Sequence, residues 1–178
     1  IEDVSLRHLR RGDDADIYDV WSSERDCRAI VKTIVPGTRS RTARARLLTE
    51  GQRLMELTHP NLVRAYEVHT RPVTLVLETL PGATLGYLIE TEGRSPLVEL
   101  GVLGVQLCSV LGYLHRHDLL HLDVKPSNVV CGEAAKLLDL GIAAPAGPSL
   151  GYGTPAYMAP EQRRGGIVGP AADVWGLG

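Results

Sequence analysis

The sequence predicts an α+β fold, with a small antiparallel sheet in the first part of the chain and mainly helices in the second. Short β-branched runs dominate the residues before position 80, and Ala29 to Val35 is the strongest of them. A leucine repeat with helical spacing follows after position 96. The pair Pro81-Gly82 separates the two parts, so we expect two lobes over residues 1–80 and 81–178.

Composition sets limits on the class of protein. The 178 residues are 44% hydrophobic, which is enough for a real core. A net charge of −2 gives no argument for binding to nucleic acid, and none is expected. Cys27, Cys108 and Cys131 form no CxxC pair, which indicates reduced thiols in a cytoplasmic protein. No membrane anchor is visible, since no apolar run reaches membrane-spanning length.

Three strands are expected at the start of the first lobe. Val4 to Leu9 alternates apolar and polar residues, and a second strand over Ile17 to Trp21 follows a turn from Arg10 to Asp16. The third strand, Cys27 to Val35, carries Lys32 among β-branched residues. A lysine in such a run is costly to bury unless a carboxylate pairs with it.

A helix over Ser40 to Leu57 supplies a candidate for that carboxylate. Glu50 lies on the same face of the predicted helix as Leu47 and Leu54. Because its apolar neighbours face the core, Glu50 is expected to point inward and to pair with Lys32.

The remaining strands and the helices of the second lobe follow in order. Leu62 to Val68 and Val73 to Glu78 complete the predicted sheet, and a short helix spans Thr84 to Thr91. Ser95-Pro96 is a good start for a long helix that runs to about His117. Five leucines of this helix are expected to face the core: Leu100, Leu103, Leu107, Leu111 and Leu114.

Beyond this helix, polar side chains concentrate in the segment from His121 to Asn128. A carboxylate at Asp123, a lysine two residues later and an amide at Asn128 cannot share one face of a regular helix or strand. Pro126 also disfavours a helix at the residue before it. The segment is therefore an irregular loop that aims its polar groups at one point. Oxygen ligands of this kind suit Mg²⁺, and the lysine suits a phosphate.

A small hairpin and a flexible segment are expected to follow the loop. Val129 to Cys131 and Ala135 to Leu138 form the hairpin, which positions Asp139 within an Asp-Leu-Gly unit. The segment Ile142 to Gly153 is rich in Gly, Ala and Pro and is predicted to be flexible.

These motifs carry a resemblance to a known family. The loop HLDVKPSN and the later DLG resemble the catalytic loop (HRDxKxxN) and the metal-binding DFG motif of protein kinases. The run GTPAYMAPE, residues 153–161, is similar to the P+1 loop and APE motif of Ser/Thr kinases. The chain is thus identified as a member of the eukaryotic-like (bacterial-type) serine/threonine kinase catalytic domains, truncated at its C-terminus. The resemblance implies the two-lobed kinase fold with an incomplete, under-buried C-lobe.

The resemblance also implies roles for individual residues. Catalytic roles fall to Asp123, which orients the acceptor hydroxyl, and to Lys125, which steadies the γ-phosphate of ATP. Mg²⁺ is bound by Asn128 and Asp139, Thr154 belongs to the substrate-binding P+1 loop, and Asp173 holds the backbone of the catalytic loop. The residues implied in nucleotide binding are Gly12, Ile17, Ile30, Lys32, Glu50, Leu77, Glu78, Leu80 and Val130.

The chain departs from the family pattern at three places. Only Gly12 remains of the usual three glycines in the phosphate-covering loop, and Asp13-Asp14 at its tip places like charge near phosphate. Ile30 replaces the alanine that usually contacts adenine. Leu122 replaces the arginine that, in many kinases, grips an activation-loop phosphate. We therefore expect activity to depend little on phosphorylation of the loop, although Ser149 is available there.

The function expected from this reading is ATP-dependent phosphoryl transfer to serine or threonine hydroxyls of a protein substrate. The main alternative is a pseudokinase or nucleotide-binding scaffold with little or no catalysis, which the poor glycine loop favours. A small-molecule kinase of the aminoglycoside phosphotransferase type shares the HxD…N loop but lacks a GTPxYMAPE segment. The sequence leaves dimerisation open.

Overall fold

The computed structural model describes residues 4–12, 14–37, 40–93 and 97–178, with Leu97 and Val98 described by their backbone alone. The chain divides into two compact units. The first unit comprises residues 1–58 and 63–80, and the second comprises residues 59–62 and 81–178. The predicted α+β class is confirmed, since the first unit is mainly sheet and the second mainly helix.

The first unit is a five-stranded antiparallel sheet with one helix. Its strand order is β1-β2-β3-β5-β4. The elements are β1 Val4–Arg11, β2 Ala15–Ser22, β3 Cys27–Ile34, α1 Arg41–Glu56, β4 Ala65–Thr70 and β5 Val73–Glu78.

Two predicted boundaries of this sheet are wrong. The turn predicted from Arg10 to Asp16 is shorter, because Gly12 N donates to Ala15 O at 2.9 Å and both strands extend towards it. The fourth strand begins at Ala65 and not at Leu62. Leu62 belongs to the second unit, where it forms an isolated parallel bridge with Leu137.

Helix α1 is anchored by its cap and by a close approach to the sheet. Ser40 Oγ accepts a hydrogen bond from Ala43 N at 3.1 Å and so caps the first turn. At Gly51, an added Cβ would lie 2.6 Å from Val68 Cγ2, which is closer than real side chains approach. The absence of a side chain at Gly51 therefore lets α1 lie against β4.

The second unit contains short strands and four helices among the described residues. Its sheets have the orders β6-β7-β8 and β10-β9. The elements are β6 Ala83–Thr84, α2 Leu85–Glu92, α3 Leu97–Arg116, a 3₁₀ turn Pro126–Asn128, β7 Val129–Cys131, β8 Lys136–Leu137, β9 Gly147–Pro148, α4 Pro160–Arg163, β10 Ile167–Val168 and α5 Pro170–Leu177.

The buried stripe of α3 is shorter than predicted. Leu107, Leu111 and Leu114 are buried as expected, but Leu100 is 44% exposed. Leu100 lines an open groove next to α2, so burial of this stripe begins only in the later turns. The predicted start of the helix at Ser95-Pro96 lies outside the described residues.

The segment predicted to be flexible is held by backbone pairing. Leu120 and Ala144 exchange hydrogen bonds of 2.8 and 3.0 Å, and β9 pairs with β10. Elsewhere in the second unit Val105, Val174 and Trp175 remain exposed. Across the described ranges, none of the helices combines the length and the apolar character needed to cross a membrane.

Candidate active site

In the first unit, Lys32 and Glu50 form a largely buried ion pair. Lys32 Nζ lies 2.8 Å from Glu50 Oε2 and 3.1 Å from Glu50 Oε1. The Glu50 residue is only 2% exposed. Because a lone carboxylate would be costly at this position, the lysine and the glutamate depend on each other for compensation. The helical spacing around Glu50 correctly predicted this contact.

The face of the sheet that carries Lys32 also carries apolar side chains. Ile17 lies opposite Lys32 in the register of β2 and β3, and Ile30 lies opposite Leu77 in the register of β3 and β5. Since residues two apart in a strand share a face, Ile17, Ile30 and Leu77 surround the lysine on one side of the sheet. All three are half-buried.

The end of β5 is held by two hydrogen bonds between Glu78 and the backbone of Arg64. Glu78 N donates to Arg64 O at 3.0 Å, and Glu78 Oε1 accepts from Arg64 N at 2.9 Å. Leu80, two residues later, closes the first unit.

The β1–β2 hairpin contains a buried acid with its own cations. Asp16 is fully buried, and its carboxylate accepts hydrogen bonds from Arg11 at 3.0 and 3.3 Å. The His8 ring lies 3.1 Å from the same carboxylate. The hydrogen bond from Arg11 is the main reason that the pKa of Asp16 lies below its usual range. The charge of Asp16 is therefore compensated within the hairpin, next to Gly12.

In the second unit, Asp123 is the centre of a four-residue polar cluster. Asp123 Oδ1 accepts from Thr154 N at 3.0 Å and from Thr154 Oγ1 at 2.7 Å. Asp123 Oδ2 accepts from Asn128 Nδ2 at 3.0 Å and lies 2.7 Å from Lys125 Nζ. Lys125 Nζ also donates to Thr154 Oγ1 at 2.6 Å. The structure thus brings three residues of the loop together with Thr154 of the segment 153–161.

His121 is a structural residue of this loop. Its ring is fully buried, and its Nε2 lies 2.9 Å from Leu138 O. Its Nδ1 accepts from Asp123 N at 3.2 Å. Because a carbonyl can only accept and an N–H can only donate, these contacts fit the neutral imidazole with its proton on Nε2. This geometry agrees with the expectation that His121 packs rather than acts as an acid or base.

Asp173 holds the start of the loop, as the resemblance implied. Its carboxylate accepts from His121 N at 2.8 Å and from Leu122 N at 2.7 Å. His115 Nε2 lies 2.8 Å from the same carboxylate. Leu122 has a φ of 65°, in the left-handed region that leucine rarely adopts. The hydrogen bonds that His121 N and Leu122 N donate to Asp173 help to stabilise this strained backbone.

Sequence reasoning missed two residues that support the loop. His115 contacts Asp173, and Gln162 Nε2 donates to Leu122 O at 2.8 Å. Gln162 follows Glu161 of the APE motif directly, and this position is the one signal in the sequence that pointed to it.

Asn128 and Asp139 fit the chemistry of a magnesium site. Asn128 Nδ2 donates to Asp123 O at 2.9 Å and to Asp123 Oδ2. The amide oxygen of Asn128 takes no part in these two hydrogen bonds. Leu138 N donates to Asn128 O at 2.8 Å, so the backbone before Asp139 lies beside Asn128. Asp139 Oδ1 accepts from Gly141 N at 3.0 Å. Carboxylate and amide oxygens suit Mg²⁺, which takes its other ligands from phosphate and water.

Val130, the remaining residue implied in nucleotide binding, lies in β7 and is buried. It pairs with Thr84 of β6 and Lys136 of β8, so it sits in the middle strand of its sheet. The described residues contain no cluster of three or more His, Cys, Asp or Glu side chains that would hold a metal ion unaided.

Comparison with known proteins agrees with this arrangement. Residues 4–178 match the protein kinase domain, and the chain belongs to that family. It is 32% identical over 148 residues to the serine/threonine-protein kinase PknB of Mycobacterium leprae. It is 35% identical over 135 residues to human myosin light chain kinase 3, and 35% identical over 144 residues to the maternal embryonic leucine zipper kinase of Danio rerio.

These alignments cover 75%, 69% and 75% of the chain. They cover only 24%, 16% and 21% of the respective relatives. The chain therefore spans less than a quarter of the length of each of these proteins.

Proposed function

We propose that this chain is the catalytic part of a serine/threonine protein kinase that transfers the γ-phosphoryl group of ATP to a protein hydroxyl. The observation that carries the proposal is the cluster of Asp123, Lys125 and Thr154. Family membership and the names of the relatives support it. Phosphoryl transfer relies on positioning and on charge neutralisation, and a fixed carboxylate beside a lysine supplies both.

The first unit would bind the nucleotide. Lys32, oriented by Glu50, would contact the α- and β-phosphates. The apolar face formed by Ile17, Ile30 and Leu77 would contact adenine. The backbone from Glu78 to Leu80 would hydrogen-bond its edge, and the turn at Gly12 would cover the phosphates. By the family resemblance, Val130 is a further residue implied in nucleotide binding.

The second unit would carry the chemistry. The acceptor hydroxyl would donate its hydrogen bond to Asp123 in place of the Thr154 hydroxyl, which now holds that position. As the bond between this oxygen and the γ-phosphorus forms, the bond from that phosphorus to the β-phosphate oxygen breaks. The hydroxyl proton passes to Asp123, and Lys125 compensates the charge of the γ-phosphate.

Asn128 and Asp139 would hold Mg²⁺ through their oxygens. The metal ion would supply neutralisation of charge on the phosphate oxygens.

The substrate is expected to be a protein with serine or threonine acceptors, because Lys125 and Thr154 follow the Ser/Thr pattern. Ile142, a β-branched residue after the Asp-Leu-Gly unit, leans towards threonine. Two peptides that differ only in Ser or Thr at the acceptor test this preference. Equal turnover of the two peptides, or faster turnover of the Ser peptide, would contradict it.

Cellular location and architecture belong to the same proposal. Residues 1–80 would form the N-lobe with the hinge, and residues 81–178 would belong to the C-lobe. A cytoplasmic location is supported by the free thiols of Cys27, Cys108 and Cys131. Burial raises the pKa of the Cys131 thiol, so that thiol stays protonated.

Transfer of radiolabelled phosphate from ATP to a general protein substrate tests the proposal. The full-length protein should label the substrate, and the variant Asp139→Asn should not. A matched control, Asp118→Asn, changes an exposed aspartate of the same unit and should retain labelling. A full-length protein that binds Mg-ATP but transfers no phosphate would favour the scaffold alternative.

A further inference from the structure

The side chain of Gln162 links the catalytic loop to the segment before Thr154, in addition to the direct hydrogen bonds of Thr154 with Asp123. Gln162 Nε2 donates to Leu122 O at 2.8 Å and to Tyr152 O at 2.8 Å. Leu122 directly precedes Asp123, and Tyr152 lies two residues before Thr154. One amide group therefore ties together the two segments that meet at the Asp123 carboxylate.

The two hydrogen-bond partners fix the orientation of this amide. Both of its partners are backbone carbonyls, which only accept hydrogen bonds, so the NH₂ group must face them and both of its hydrogens are used. The residue is only 2% exposed, so water does not readily replace it. Loss of the amide would leave two carbonyl groups without this donor.

The surroundings of Gln162 are shaped to accept this bridge. Gly153 has a φ of 135°, and an added Cβ there would lie 2.8 Å from Gln162 Nε2 and 3.0 Å from Leu122 O. Ser149 Oγ donates to the backbone O of Gln162 at 2.8 Å, which fixes the helix that carries the side chain. A side chain at position 153 would therefore collide with the bridge.

The side chain of Leu122 is uncharged and cannot bind a phosphate as an arginine would. It packs against the buried apolar cluster of Leu120, Ala159, Val168 and Ala172. The backbone of Leu122 is held from both sides, because Asp173 accepts its N–H and Gln162 donates to its carbonyl. Its strained φ of 65° persists under these two restraints.

We infer that Gln162 is a positioning residue, which locks the segment around Tyr152 to the catalytic loop without any phosphate and so keeps Asp123 and Thr154 in contact. A neutral, buried amide makes the connection, so the lock needs no phosphorylated residue. The kinetic part of this inference rests on the proposed function, whereas its structural part does not.

Hydrogen–deuterium exchange of the full-length protein tests the structural part. The variant Gln162→Met keeps the length of the side chain and removes both donors. It should exchange at least tenfold faster at the amides of Leu122, Asp123 and Thr154, with other segments unchanged. The matched control Gln52→Met alters an exposed glutamine of α1 and should exchange like the wild type.

Two further samples keep the test decisive. Gly153→Ala, which pushes a methyl group against the bridge, should reproduce the local exchange pattern even if Gln162→Met unfolds. Phosphatase-treated wild type should retain full protection at the same three amides. Unchanged exchange in a folded Gln162→Met protein, or loss of protection after phosphatase treatment, would overturn the inference.

Steady-state kinetics test the positioning role. Gln162→Met should lower kcat at least tenfold and leave KM for ATP within twofold, because the first-unit residues proposed to bind ATP are unchanged. An unchanged kcat would overturn the positioning role. A full-length wild type without any transfer activity would instead refute the proposed function, and the exchange experiment would then decide the inference alone.

Discussion

The backbone N–H of Leu122 donates to the carboxylate of Asp173 at 2.7 Å, across 51 residues of sequence. The same carboxylate also accepts from His121 N, and Asp173 is almost fully buried. Helix α5 therefore supports the catalytic loop through one charged group with several partners.

Replacement of this carboxylate should destabilise the second unit. Asp173→Asn keeps the shape of the side chain but removes its charge and turns one acceptor into a donor. We expect a loss of about 1.5–3 kcal/mol in the free energy of unfolding, typical of hydrogen bonds to a charged group. Denaturant unfolding measures this loss, with exposed Asp118→Asn as the control. Equal stability of the two variants would mean that Asp173 does not support the loop.

The ion pair of Lys32 and Glu50 should show strong coupling. Lys32→Met removes the cation beside the buried Glu50 carboxylate and should cost about 3–5 kcal/mol of stability. Adding Glu50→Gln should recover much of this loss, while the thermal shift caused by Mg-ATP stays absent in both variants. The exposed Arg41→Met is the control for removal of a cation from the first unit. Additive effects of the two substitutions would argue against the pair.

Stability should fall in mild acid because of His59. Its Nδ1 accepts from Asn61 N at 3.0 Å and its Nε2 lies 3.2 Å from Ser109 Oγ, so the neutral ring fits this site. Burial, followed by the charges of Arg116 and Lys136, holds the pKa of His59 below its usual value of 6.5.

The sign of the pH effect follows from this direction. The unfolded chain takes up a proton as the pH falls through about 6.5, while the folded chain resists until lower pH, so stability is lost over that interval. The free energy of unfolding should decline less between pH 7.5 and 5.5 in His59→Gln than in the wild type. Equal declines would contradict this assignment.

Activity should depend little on modification of Ser149. The Ser149 hydroxyl already donates to Gln162 O and accepts from Gly151 N at 3.1 Å, and Leu122 offers no cation to a phosphate. We expect Ser149→Ala in the full-length protein to keep kcat within about fivefold, since a lost hydrogen bond costs about 1 kcal/mol. A decrease of several tens of fold would show that phosphorylation of Ser149 controls the enzyme.

Much of this arrangement was predictable from local patterns. The contact between Lys32 and Glu50 follows from a lysine in a β-branched strand and a glutamate on the apolar face of a helix. The irregular loop at Asp123 follows from Pro126 and from the spacing of its polar residues. Both patterns lie within single elements, which sequence periodicity describes well.

Other features depend on packing between distant segments. The contact of Thr154 with Asp123 spans 31 residues, and only the family motif hinted at it. Leu100 has the spacing of a buried residue but is exposed, because burial depends on which elements cover the helix. The role of Gln162 was not predictable, since its position directly after Glu161 does not reveal its two carbonyl partners.

The most direct test of the proposed mechanism is the rate of phosphoryl transfer by Asp123→Asn at saturating Mg-ATP and peptide. The amide can still hydrogen-bond but cannot take the proton of the acceptor hydroxyl. We therefore predict that kcat falls by about 10²–10⁴-fold. The affinity for Mg-ATP, measured by calorimetry on the same protein, should stay within about twofold because the proposed nucleotide contacts do not involve Asp123. A variant that retains kcat within tenfold of the wild type would contradict the assignment of Asp123 as the base that orients the acceptor.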